Sequence, residues 1–251
     1  VAGRPGIRIA RGTGPAAWRD AGVLIAGPGP SGRDASLETA FHLATPDGRH
    51  QLYHIGYVDE TAYRAQIFRA VADRLEGPWR RAPAPAIAAG LQDGERVHMM
   101  TSPSVIAHEG RLHLVYLAWN DRPDRVSRVR AMGAVSDDMG ETWSAPRAVE
   151  VPVGMEGQLT RGPDGLVYAV RTGETEDGEE AIFLARAAHP FGPYEALPGP
   201  VLAPAGPPWE ADEIIAPQLV FDAETGEALL YYTGADHARG WWVMLAAARY
   251  R

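Results

Sequence analysis

Four stretches of the chain alternate apolar and polar positions in one shared order. Each begins with a short apolar run, passes through a tight-turn dipeptide, and continues into a second run rich in Tyr and Leu. They read ETAFHLATPDGRHQLYHIGY from Glu38, TSPSVIAHEGRLHLVYLAW from Thr101, EGQLTRGPDGLVYAVRTG from Glu156 and IAPQLVFDAETGEALLYYTG from Ile215. The dipeptides Asp47-Gly48, Glu109-Gly110, Asp164-Gly165 and Thr225-Gly226 suit two-stranded hairpins. After each of the first three pairs comes a third apolar run and a turn ending in an aromatic residue: Trp79, Trp143 and Tyr194. The run TAYRAQIFRAVADRLEG fits helical and strand spacing equally well. Its place in the repeat assigns it to a strand.

The repeats start about 59 residues apart, and no helix is needed to connect them. Units of four strands repeated at this spacing predict an all-β fold, a β-propeller, formed by residues 1–251 as a single domain. A β-sandwich is the alternative arrangement. At the N-terminus, IRIARGTGPAAW (closing at Trp18) and AGVLIAG supply an outer pair over residues 7–10 and 22–26, with no inner partners. The strand count leaves two rings: five blades with one of them incomplete, or four with an extra edge strand. An incomplete blade exposes unpaired backbone, so a second chain or a missing segment is expected to complete it.

Composition narrows the chemistry. The chain has 251 residues, 45% hydrophobic and 22% charged, enough for an ordinary folded core. No cysteine is present, which removes disulfides, thiolate nucleophiles and cysteine-based zinc sites. All 24 basic residues are arginine, which excludes Schiff-base lysines and phosphate-loop lysines. A net charge of −8 spread along the chain argues against a nucleic-acid surface. No apolar run is long enough to span a membrane. A soluble protein is expected, secreted or cytoplasmic, since no signal-like segment decides the compartment.

Two resemblances follow from short motifs. SDDMGETW, from Ser136 to Trp143, resembles the Asp box of sialidases and related propellers. The resemblance implies that Asp138 binds hairpin backbone, Gly140 takes the strained turn position and Trp143 packs between blades. It places this turn on the rim, away from any active site. The GPW and GPY turns at Gly77–Trp79 and Gly192–Tyr194, Pro103–Ile106, Met155-Glu156-Gly157 and LLYYTGAD from Leu229 resemble a second group. That group is the five-bladed propeller glycosidases: arabinanases, β-xylosidases, arabinofuranosidases, fructosidases and the related mannoside phosphorylases. The resemblance implies a glycoside hydrolase acting on an oligo- or polysaccharide. A non-catalytic carbohydrate-binding propeller and a glycoside phosphorylase are the alternatives.

Inner strands of a propeller start at a central funnel, so the first residue of each repeat is a candidate for the site. Hydrolysis of a glycosidic bond needs two carboxyl groups, one to protonate the leaving oxygen and one to activate water or attack carbon. Glu38, Thr101, Glu156 and the adjacent Asp212 and Glu213 occupy these places. The resemblance implies that Glu156 is the general acid; place in the repeat makes Glu38, or the Asp212–Glu213 pair through Glu213, its candidate partner. The family carries Asp-Pro where this chain has Glu38-Thr39, and a hydroxyl stands at Thr101 where an acid is expected. Asp212, Trp209, His98, Thr101 and Arg171 are candidate substrate-binding residues. Trp209 would stack on a sugar ring or pack between blades. His98 would bind a sugar hydroxyl, a cation or water, or serve the fold. Arg122, His54 and His237 are further candidates whose plainer reading is structural. No cluster has transition-metal spacing and no cofactor is expected; a single hydrated Ca²⁺ is the one ion this reading leaves room for.

Overall fold

In a computed structural model of the chain every regular element is a β-strand. The structure describes residues 6–12, 17–29, 32, 34, 36–59 (without the side chains of 58 and 59), 64–120, 128–152, 156–204, 209–210 and 212–249. Met155 and Arg122 lie outside the described residues. Among those described, no helix is long and apolar enough to cross a membrane. The chain divides into two compact units, Val1–Val149 and Glu150–Arg251.

The first unit begins with an antiparallel pair, β1 (Gly6–Gly12) and β2 (Trp18–Ala26). Trp18 opens β2 and is exposed, rather than closing a turn as its likeness to Trp79 suggested. A four-stranded sheet follows, built from β3 (Ser36–Ala44), β4 (His50–Asp59), β5 (Arg64–Ala72) and the two-residue β6 (Arg80–Arg81), in that order. The next sheet has five strands: β7 (Gly90–Gln92), β8 (Glu95–His108), β9 (Arg111–Asn120), β10 (Arg128–Ser136) and β11 (Arg147–Ala148). The segment of ambiguous spacing is β5, and from Ala65 to Ala70 it is buried at every position. A strand packed on both faces has no alternation to display.

The two sheets share one core. Tyr53, Ile55 and Ile67 from the first meet Met100, Val105, Leu114, Tyr116 and Met132 from the second. Each such side chain contributes about 1.5–3 kcal/mol by leaving water. A smaller cluster of Ile25, Leu37, Leu52 and Ala70 joins β2 to the four-stranded sheet. The Ser136–Trp143 turn connects β10 to β11 and ties the two sheets together. Gln51 and Arg69 both donate to the Met139 carbonyl, at 2.7 and 3.2 Å. Trp143 meets Tyr53 edge-on, with ring centroids 5.9 Å apart.

The second unit holds a four-stranded sheet of β12 (Gly157–Arg161), β13 (Val167–Glu174), β14 (Glu180–Ala187) and β15 (Glu195–Ala196). Its other sheet has three strands, β16 (Glu213–Asp222), β17 (Glu227–Asp236) and β18 (Gly240–Arg249). Strand β16 packs against β12, β13 and β14. Val170, Ile182, Ile214, Leu219, Leu230 and Tyr232 form the core between the sheets. Four sheets built on inner hairpins, plus the N-terminal pair, match the repeat count read from the sequence.

Candidate active site

Within each sheet the strands are antiparallel, so the start of the inner strand, the end of the second and the start of the third lie at one end. That end collects the chemistry in both units.

In the first unit, Glu38 lies on β3 opposite Ile55, and the Tyr57 hydroxyl donates to its carboxylate at 3.2 Å. The next residue, Thr39, has φ 42°, and a bulge runs from Glu38 to Phe41. Strand β8 repeats the device. Ser102 has φ 51°, with a bulge from Thr101 to Ser104. The Trp119 indole N–H donates to the Thr101 hydroxyl at 3.3 Å. The buried Ser102 hydroxyl has no hydrogen-bond partner among the described residues. Thr101 was expected at a strand start but stands inside β8. An Asp93-Gly94 hairpin adds β7 and lengthens β8 backwards to Glu95. The same extension places His98 within β8. His54 sits in the middle of β4. It is fully buried, stacked on Phe68 with centroids 5.9 Å apart, and burial pushes its pKa down to about 4. That is a core histidine.

In the second unit, Glu156 immediately precedes β12, and its carbonyl accepts the Thr172 N–H at 3.0 Å. Gly157 lies against β13 so closely that a Cβ there would stand 2.5 Å from the Val170 carbonyl oxygen. Glycine at this position is a packing requirement. Arg171 lies within β13, opposite Phe183, with its guanidinium 5.0 Å from that ring's centroid. Burial lowers its pKa. The Thr172 hydroxyl and the Gln158 amide oxygen are buried without hydrogen-bond partners among the described residues. Such orphaned atoms in a polar setting are places for water or ligand hydroxyls.

Glu213 opens β16. One of its oxygens lies 3.1 Å from His237 Nε2, and Asp212 accepts the His237 backbone N–H at 2.5 Å. His237 follows β17, as read, and its ring lies 5.7 Å from that of Trp241, which is 54% exposed. Glu180, at the start of β14, accepts the Ile214 N–H at 3.2 Å. Burial pushes its carboxyl up, and the charges of Glu213 and Glu174 push the same way. Trp209 is 46% exposed and meets Trp242 edge-on, with centroids 4.9 Å apart. Its backbone crosses Gly234, where a Cβ would lie 2.6 Å from the Trp209 carbonyl oxygen.

The second unit thus brings Asp212 and Glu213 together with His237, and places Glu156 and Arg171 on neighbouring strands at the same end. Glu38, Thr101 and His98 belong to the first unit. Reasoning from inner strands alone missed Tyr57, Glu180 and Trp241. Glu180 and Trp241 stand at or beside the start of a third strand, which antiparallel pairing returns to the site end. Among the described residues, no group of three or more His, Asp or Glu side chains is arranged to hold a metal ion.

No family model matches the sequence, and no curated protein matches it. Solved structures do match. A thermostable family-43 glycoside hydrolase superimposes with a TM-score of 0.73 at 13% identity, covering 100% of this chain and 84% of that one. An endo-arabinase from Bacteroides thetaiotaomicron gives 0.67 at 15% identity, over 98% and 87%. An α-L-arabinofuranosidase from Clostridium thermocellum gives 0.64 at 16%, over 99% and 80%. Across nearly its whole length, the chain has the fold of the five-bladed β-propeller glycosidases.

Proposed function

We propose that this chain, as a single propeller domain, hydrolyses a glycosidic bond in an oligo- or polysaccharide, with Glu156 as the general acid. The observation that carries the reading is the gathering of carboxylates and exposed tryptophan at the strand-entry end. Glu38 stands there in the first unit; Glu156, Glu180, Asp212 and Glu213 stand there with Trp241 in the second. Several of these acids also hold hydrogen bonds of the fold, and sugar hydrolysis needs two carboxyl groups of this kind. Glu156 gives its proton to the bridging oxygen as the bond to the anomeric carbon breaks. Water supplies the new oxygen on that carbon, and the second carboxylate takes the water proton or first bonds the carbon itself. That second role falls to Glu38, or to Glu213. The hydrogen bonds of Asp212 and Glu213 to His237 favour binding and positioning for that pair, and so favour Glu38 as partner. Trp209, Arg171, His98 and Thr101 are assigned to substrate contacts.

The solved neighbours include enzymes described as arabinase, xylosidase and arabinofuranosidase, which sets the first substrates to try. Glu156→Gln is expected to lower kcat on an arabino-oligosaccharide by about 10²–10⁴-fold. On a dinitrophenyl arabinofuranoside, whose leaving group needs no proton, the loss should be much smaller. Equal losses on both substrates, or none on either, would remove Glu156 as the acid. If the wild-type chain binds such oligosaccharides with no turnover, the carbohydrate-binding reading replaces this one.

A further inference from the structure

The first unit carries a small basic pocket, and of its lining the hydrolytic reading uses His98 but neither arginine. Residues Ala82 to Gln92 run back across the first sheet, held by paired backbone hydrogen bonds of 3.2 Å between Ile67 and Ile87. The Ala89 N–H donates to Gln66 at 3.3 Å, and Gln92 is fixed by Ala88, Tyr116 and Arg130. This strap brings β7 and the start of β8 to the start of β5. Between them lies a cavity of about 160 Å³ lined by Arg64, Ala89, Gly90, Arg96, Val97 and His98. Val97 is buried, and a bulge in β8 leaves His98 as the extra residue between Val97 and Met99. Bulges of this kind re-aim a side chain.

Arg64, Arg96 and His98 therefore line one pocket, with no acidic residue in its described lining. Among the described residues, neither Arg64 nor Arg96 has an ion-pair partner. Two fixed positive charges repel a cation and match the oxygens of an anion in forked geometry. The cavity is several times the space a water molecule requires, so a small oxyanion fits. Arg64 starts a third strand and Arg96 precedes the inner-strand bulge, so the pocket opens at the end of the unit that carries Glu38.

We propose that Arg64, Arg96 and His98 form an oxyanion site, taking free phosphate or the acidic group of a sugar ligand. The test is calorimetric titration of the full chain at constant ionic strength with inorganic phosphate, with glucuronate and with glucose. Saturable binding of phosphate or of glucuronate is expected, and which of the two binds names the source. Glucose should give no comparable signal at this pocket. Arg64→Gln and Arg96→Gln should each weaken anion binding about tenfold, the loss of one charge-assisted hydrogen bond. Both side chains are exposed, so neither change opens the core. Absence of binding by both anions would overturn the proposal, as would unchanged affinity in both variants or glucose binding as tightly as glucuronate. The readout is binding, so a failure of the hydrolytic reading would leave this result standing.

Discussion

Replacing Gly140 with Ala tests how the two sheets of the first unit are locked together. Gly140 has φ 87°, a conformation costing an Ala about 1–2 kcal/mol. A Cβ there would also press into the Tyr53 hydroxyl, and would stand 3.1 Å from the Gln51 amide oxygen and 3.3 Å from the Arg69 guanidinium. These neighbours cannot step aside. Tyr53 is fully buried, its hydroxyl donates to Gln51 at 2.6 Å, and Gln51 and Arg69 both hold the Met139 carbonyl. Overpacking of this kind adds about 1–3 kcal/mol. The sum is about 2–5 kcal/mol, lowering Tm by about 2–4 °C for each kcal/mol in a chain of this size. Gly110→Ala is the control, because Gly110 has φ 76° and open space around its missing Cβ. Calorimetric scans should show Gly140→Ala clearly less stable than Gly110→Ala. Adding Tyr53→Phe should recover part of the difference by removing the obstructing oxygen. Equal destabilisation by the two glycine variants would refute the lock.

Two further outcomes can be measured on the same samples. Asp138 accepts from the Thr142 hydroxyl at 2.6 Å and from the Thr142 N–H and Ser136 hydroxyl at 2.8 Å, which hold its carboxyl down at about 2. Its contribution is present above the ordinary carboxylate range and lost as pH falls toward 2. Asp138→Ala should therefore lower Tm at pH 7 yet leave oligosaccharide affinity unchanged; a selective loss of affinity at unchanged Tm would contradict a purely structural role. His54, neutral in the core with a pKa near 4 against an ordinary 6.5, stabilises the fold fully above 6.5 and loses that contribution as pH falls toward 4. The loss is on the order of 3 kcal/mol. Urea titrations from pH 7 to 4 should show His54→Leu much less acid-sensitive than wild type, and parallel curves would rule the histidine out as the cause.

The hairpins were legible because Asp-Gly, Glu-Gly and Thr-Gly dipeptides announce them. Gly48, Gly110, Gly165 and Gly226 all take the positive φ these turns need. The same signal stands at Asp93-Gly94, where φ is 47° and 79°, and it marks the β7 hairpin that reading by repeat alone passed over. Strand β5 was legible only by repetition, since burial on both faces erases its period. The fourth strands β6, β11 and β15 are two residues each, too short to carry a pattern. At the site, Glu156, Asp212 and Glu213 were legible as acids at strand entries. Glu180, Arg64 and Arg96 were not, because their place depends on strand pairing that returns distant residues to the same end.

The bulges explain why the repeat predicts position better than chemistry. Thr39, Ser102 and Ala216 are non-glycine residues in the left-handed region, with φ of 42°, 51° and 53°. Each follows the first residue of a repeat, and each sits in a register shift of its inner strand. Each costs about 1–2 kcal/mol relative to an extended residue, and such strain persists where the surroundings over-determine it. The third repeat has Gly157 at that place, without a positive φ, where close approach to β13 demands glycine instead. The backbone device recurs whether the residue before it is Glu38, Thr101 or Ile215, so it belongs to the fold. What each position can do is then set by the side chain alone. Glu38 can exchange a proton, Thr101 can only share a hydrogen bond, and Ile215 can do neither. Of the three bulged entries, only Glu38 carries a carboxyl, the group that the proposed hydrolysis asks of a second residue.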